Sequence, residues 1–133
     1  MQAEIDAVQT LITAAGGDEN AYIRAPYGNA NKTVRSVVRA PLIYWSVDPE
    51  DWKYRDSETV RQNIEAGVFD GAIILAHDIY RTSVDGALAA IDDLLAEGYE
   101  FVTVQELLLR RGITTEAATV YYSADKTAVI SAR

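Results

Sequence analysis

An α/β fold built from parallel β/α units is what this 133-residue sequence predicts, on three observations. Stretches with helical periodicity alternate with short apolar or β-branched runs, the order expected when crossover helices connect strands lying side by side. Three of those runs give out into turn-forming segments, at residues 24–28, 48–52 and 77–78. The composition, 49% hydrophobic and 24% charged, suits one domain with a real core. About four such units make an open, incomplete sheet or part of a barrel. Either way, ligands sit beyond the C-terminal strand ends, so the three turns should meet at one face.

The elements follow in order. Residues 3–15 place Ile5, Val8, Leu11 and Ile12 on one helical face, and Gly16 with Gly17 stops the helix. Residues 21–24 form a short extended run ended by Pro26, and residues 31–39 a short helix before Pro41. The run 42–47 is apolar and β-branched, as a strand buried on both faces requires. Ser57 can cap a helix running to about Ala66, and 72–76 is a second unbroken apolar strand. Ser83 can cap the next helix, whose Leu88, Ile91, Leu94 and Leu95 form a stripe ending at Gly98. Phe101 and Val102 read as a brief strand. Thr103 with Glu106 has the spacing of a capping box, opening a helix that carries Leu107, Leu108 and Leu109 and stops at Gly112. Residues 119–122 could add a strand in an otherwise uninformative tail.

Charge and composition exclude several functions. With 12 Lys and Arg against 20 Asp and Glu, the net charge of −8 argues against nucleic acid as a partner, since such binding draws on basic faces. No cysteine is present, which removes disulfides, zinc–thiolate sites and thiol catalysis. No apolar run approaches the ~18 residues of a membrane span. The segment after Met1 is amphipathic and acidic, unlike a signal peptide. No Gly-rich loop follows any strand, so a nucleotide-binding domain is a poor reading.

The strand ends hold the residues with chemistry: Arg24-Ala25-Pro26-Tyr27-Gly28, Trp45-Ser46-Val47-Asp48-Pro49-Glu50-Asp51-Trp52 and Ile74-Leu75-Ala76-His77-Asp78. In that order they resemble the third, fourth and fifth motifs of the NodB-homology polysaccharide deacetylases, carbohydrate esterase family four. The likeness is closest in flavour to the peptidoglycan and chitooligosaccharide deacetylases. It implies the C-terminal part of a distorted (β/α) barrel, with residues 1–112 belonging to the deacetylase domain and 113–133 forming a C-terminal extension. It further implies hydrolysis of N-acetyl groups on an N-acetylated glucosamine polymer, assisted by zinc or another divalent metal, and a parent protein that is secreted or in the cell envelope.

Roles follow from the resemblance residue by residue. His77, the sole histidine, matches the acid that protonates the departing amine, a task suited to imidazole. Asp51 would orient His77 and favour its charged form. Asp48 is a second candidate for that work. Arg24 matches the arginine that grips the catalytic aspartate at two points, although Ala25 stands where the family often has proline. Tyr27 would offer its backbone N–H to the oxyanion, with Pro26 and Gly28 shaping the turn. Leu75 would face the acetyl methyl and Trp52 the sugar. Taken alone, each has an ordinary structural reading: His77 a bonded histidine, Arg24 a surface ion pair, Leu75 core.

The family's first two motifs, which supply the catalytic base and the metal ligands, are not in this sequence. One histidine and no cysteine cannot build the expected metal site, so the metal ligands are expected outside this sequence. The expectation is therefore a catalytic half that needs the N-terminal half of the same domain, with a separate chain as one way of supplying it. The alternative is a non-catalytic glycan-binding or structural remnant of the same fold.

Overall fold

Residues 2–18, 21–125 and 129–130 are described by the computed structural model, the last two through their backbone alone. The sheet is organised around β1 (Leu42–Ile43), buried on both faces as its apolar sequence requires. On one edge the Ile43 N–H donates to the Ile23 carbonyl at 2.8 Å, in a parallel bridge between Ile23 and Leu42. On the other edge β1 pairs in parallel with β2 (Val120–Tyr121), Leu42 opposite Val120 and Ile43 opposite Tyr121. A third strand, β3 (Val129–Ile130), runs antiparallel to β2. Further along the chain from β1, Val47 bridges Ile74 in parallel, and the Leu75 N–H reaches the Val47 carbonyl at 2.9 Å.

The segments around Ile23, 42–47 and 72–75 thus run parallel, as the sequence predicts, but with ladders of one or two residues. The fourth expected strand is a correction. Phe101 and Val102 make no ladder, and Phe101 is 42% exposed. The possible strand at 119–122 does form, as β2 beside β1, and the 113–125 stretch is built into the core: Tyr121 is 2% exposed and packs with Ile43, Ile73 and Leu108.

Among the described residues, six α-helices surround these strands: α1 (Gln2–Ala14), α2 (Lys32–Val37), α3 (Asp51–Tyr54), α4 (Ser57–Gly67), α5 (Arg81–Ala96) and α6 (Val104–Arg110). Ile5 of α1 and Val34 and Val37 of α2 pack on the cluster of Ala25, Val38, Leu42 and Tyr44. Val60 and Ile64 of α4 interlock with Ala90 and Leu94 of α5, and Arg61 of α4 reaches Asp93 of α5 at 2.6 Å.

Two expected caps are also corrected. Asp56, not Ser57, caps α4, accepting the Thr59 N–H at 2.8 Å; a carboxylate one residue earlier is the stronger acceptor. Helix α5 begins at Arg81 with Tyr80 at its N-cap, so Ser83 lies inside the helix and caps nothing. Thr103 does cap α6, accepting from Glu106 N–H at 3.2 Å. The Glu106 carboxylate turns to Arg110 instead of closing the box. None of the described helices is long and apolar enough to cross a membrane.

Candidate active site

Strand 42–47 hands the chain to a tight loop that sets Asp51 in place. Asp48 Oδ1 accepts the Glu50 N–H at 2.9 Å, and Asn63 of α4 donates to the Pro49 carbonyl at 3.1 Å. Glu50 takes a left-handed conformation (φ 51°), unusual for a residue with a side chain, and turns the chain so that Asp51 starts α3 pointing inward. Asp51 is 0% exposed. Asp48 therefore closes the loop and is bonded to its backbone.

The second strand end brings His77 to that carboxylate. The His77 backbone N–H donates to Asp51 Oδ2 and ring Nδ1 meets Oδ1, both at 2.8 Å. Burial opposes ionisation of Asp51, but its polar surroundings, the His77 ring and backbone N–H foremost, outweigh it and hold the carboxyl below the usual aspartate range. An ionised carboxylate only accepts, so Nδ1 carries the hydrogen and Nε2 is left as the ring's working nitrogen. The His77 side chain is 38% exposed, enough for a ligand to reach it.

Arg24 is held differently. Nε and Nη2 each donate, at 3.3 Å, to the carbonyls of Ile43 and Tyr44, and the guanidinium lies 5.8 Å from the Trp45 ring centroid. Partial burial draws its pKa downward, and no carboxylate among the described residues offsets that. Arg24 and Ala76, the neighbour of His77, line one cavity of about 930 Å³ that extends to Phe69, Tyr99 and Val104. The structure thus joins His77 to Asp51 by direct bonds, whereas Arg24 lines a cavity that reaches Ala76 but neither His77 nor Asp51.

Tyr27 sits in a 3-10 turn, Pro26–Gly28, with φ 57° and ψ 18°, its side chain fully exposed. The turn is closed by Gly28 N–H to Ala25 O and Asn29 N–H to Pro26 O; the Tyr27 N–H takes no part in either. Gly28 is required where it stands: its φ is +63°, and a Cβ would come within 2.9 Å of the Trp45 ring. Pro26 is exposed, Trp52 is 51% exposed beside Asp51, and Leu75 is buried at 7%. Sequence reasoning missed Arg55 and Tyr80, which clamp α3 to the start of α5: Arg55 Nη2 donates to the Tyr80 hydroxyl at 2.9 Å over its ring. No spacing pattern announces such a pair.

No protein-family model matches the chain. Individual proteins do. The peptidoglycan-N-acetylglucosamine deacetylase PgdA of Listeria monocytogenes is 47% identical over 85 residues, 64% of this chain and 18% of PgdA. The peptidoglycan-N-acetylmuramic acid deacetylase PdaC of Bacillus subtilis is 40% identical over 104 residues, 78% of this chain and 22% of PdaC. The solved PdaC structure superposes with a TM-score of 0.74 over 80% of this chain and 52% of that one. The chain belongs to the NodB-type polysaccharide deacetylases, carbohydrate esterase family 4. Another family 4 structure, an acetyl xylan esterase of Clostridium thermocellum in complex with a cobalt ion, gives a TM-score of 0.84 at 25% identity, over 93% of this chain and 63% of that one. This family 4 chain spans about a fifth of the length of PgdA and PdaC. Among its described residues there is no group of three His, Cys, Asp or Glu side chains that could hold a metal. The family's divalent metal therefore does not fit a ligand set made from those residues.

Proposed function

We propose that this chain supplies the general acid and substrate groove of a metal-dependent polysaccharide N-deacetylase acting on N-acetylglucosamine polymers, peptidoglycan before chitin. The observation that carries the reading is the bidentate bonding of His77 by the buried Asp51. Amide hydrolysis stalls unless the departing nitrogen gains a proton before the C–N bond breaks. Asp51 fixes the imidazole by Nδ1–H, so that Nε2–H is aimed to deliver that proton. The names of PgdA and PdaC favour peptidoglycan as the polymer and the cell envelope as the place.

The remaining residues have matching tasks. The Tyr27 N–H would donate to the developing oxyanion, and Pro26 and Gly28 hold the turn that aims it. Trp52, exposed beside Asp51, would stack against the sugar, while Leu75 offers only an edge to the acetyl methyl. Arg24 spends Nε and Nη2 on backbone carbonyls, leaving its other N–H groups for a carboxylate. That carboxylate, and ligands for zinc or another divalent ion, would come from the N-terminal half of the same domain.

Acetate release from peptidoglycan and chitooligosaccharides, measured for this chain alone and combined with the N-terminal half of the domain, tests the reading. Release by the combination, lost in His77→Ala, is expected. Absence of release from both polymers would leave the non-catalytic remnant in its place.

A further inference from the structure

The Ser83 hydroxyl is the one group at this site with no task yet. Because α5 starts at Arg81, its hydroxyl is not spent on a helix cap. Its side chain is 0% exposed, and Oγ makes no hydrogen bond of regular geometry. A buried hydroxyl in that position forfeits its water without compensation unless it gives its hydrogen to a neighbour. Helices α3 and α5 are in contact, and Ser83 of α5 and Asp51 of α3 are both fully buried. The Asp51 carboxylate offers about four acceptor positions, and His77 takes two of them. A buried donor without a partner and a buried acceptor with room thus lie on contacting helices, and a bond between them would favour the ionised form of Asp51.

We propose that Ser83 is a positioning residue: its Oγ–H donates to the Asp51 carboxylate and fixes the orientation in which Asp51 holds the His77 ring. The purpose of this contact rests on the deacetylase reading; the contact itself does not. The charged groups nearby are otherwise engaged. Glu50 and Lys53 pair with each other on α3, Glu58 and Arg61 on α4, and Arg81 and Asp85 on α5, so among the described residues His77 is the only titratable group bonded to Asp51.

The His77 backbone amide proton, bonded to Asp51 Oδ2, reports protonation of that carboxylate in a pH titration followed by NMR. In Ser83→Ala the acid midpoint should rise by about one pH unit, the equivalent of one hydrogen bond to a charged group. Ser83→Thr, which keeps the hydroxyl, should return it toward the wild-type value. Val60→Ala, an equally buried change in the α4–α5 contact, should lower the melting temperature and leave the midpoint alone. A Ser83→Ala midpoint equal to wild type, or a shift of the same size in Val60→Ala, overturns the proposal. Neither measurement needs turnover, so failure of acetate release would remove the deacetylase reading and leave the Ser83 contact standing.

Discussion

Both oxygens of the Asp51 carboxylate are bound to His77, one by the backbone N–H and the other by ring Nδ1, each at 2.8 Å. An asparagine there could accept from the backbone N–H, but its NH2 would force the ring into the tautomer in which Nδ1 accepts. Asp51→Asn should therefore exchange charge-assisted bonds for neutral ones and cost about 1 kcal/mol. Urea denaturation at pH 7 measures this; a variant as stable as wild type would mean the pairing contributes nothing to folding.

The same carboxylate sets an acid dependence. Its folded pKa is depressed by the His77 hydrogen bonds against the opposing effect of burial. A depressed carboxyl stabilises the fold fully above its unfolded value of about 3.9 and loses that contribution as pH falls through the lower, folded value. The stability gap between wild type and Asp51→Asn should thus be level near pH 5 and shrink below about pH 4. A gap that persists undiminished at the acid end would contradict the assignment.

Gly28 closes on Trp45, and the expected cost of filling that gap has two parts. Ala at φ +63° is strained by about 1–2 kcal/mol, and the added Cβ would press the indole from 2.9 Å. Gly28→Ala should lower stability by at least the strain and alter tryptophan fluorescence. The Arg24 guanidinium over the same ring should shift with it.

The helices were legible because apolar spacing and terminal glycines are local signals. The expected 3–15, 31–39 and 57–66 lie within two residues of α1, α2 and α4. Helix α3 was not legible, since it has four residues between two left-handed non-glycine positions, Glu50 and Arg55, and depends on Asp48 and Asn63 contacts. Strands fared worse for a physical reason: a ladder needs a partner that the local sequence does not name. Residues 42–47 find partners at 23, 120–121 and 73–74, whereas Phe101 finds none among the described residues. At the site, the pairing of His77 with Asp51 could be read from motifs, while the inward turn of Ser83 could not. A serine three residues into a helix looks the same on paper as a cap.

Gly86 tests which of two opposed effects prevails. Replacing a helix-interior glycine by alanine normally gains about 1 kcal/mol. Here the new Cβ would lie 2.6 Å from the Ser57 carbonyl oxygen and 2.8 Å from Val60 Cβ, and a backbone atom has little freedom to yield. Overpacking of that kind costs about 1–3 kcal/mol or more. Gly86→Ala should therefore be net destabilising, with α5 forced away from α4. A higher melting temperature in this variant would show that the two helices part without penalty.

The stretch after Gly112 makes the last prediction, because it decides whether residues 113–133 act as an appendage. Tyr121 is 2% exposed among Ile43, Ile73 and Leu108, and its hydroxyl accepts the Glu116 N–H at 2.8 Å. Removing so large a buried ring costs about 3–5 kcal/mol, a large share of the 5–15 kcal/mol typical of a whole domain. Tyr121→Phe removes only the hydroxyl and should cost about 1 kcal/mol. Leu109→Ala, 75% exposed on α6, should be close to neutral by comparison. An appendage would give a different pattern, with Tyr121→Ala leaving the urea midpoint unmoved. The parallel pairing of Leu42 with Val120 argues for the first outcome, since losing β2 would strip β1 of the neighbour on one whole edge.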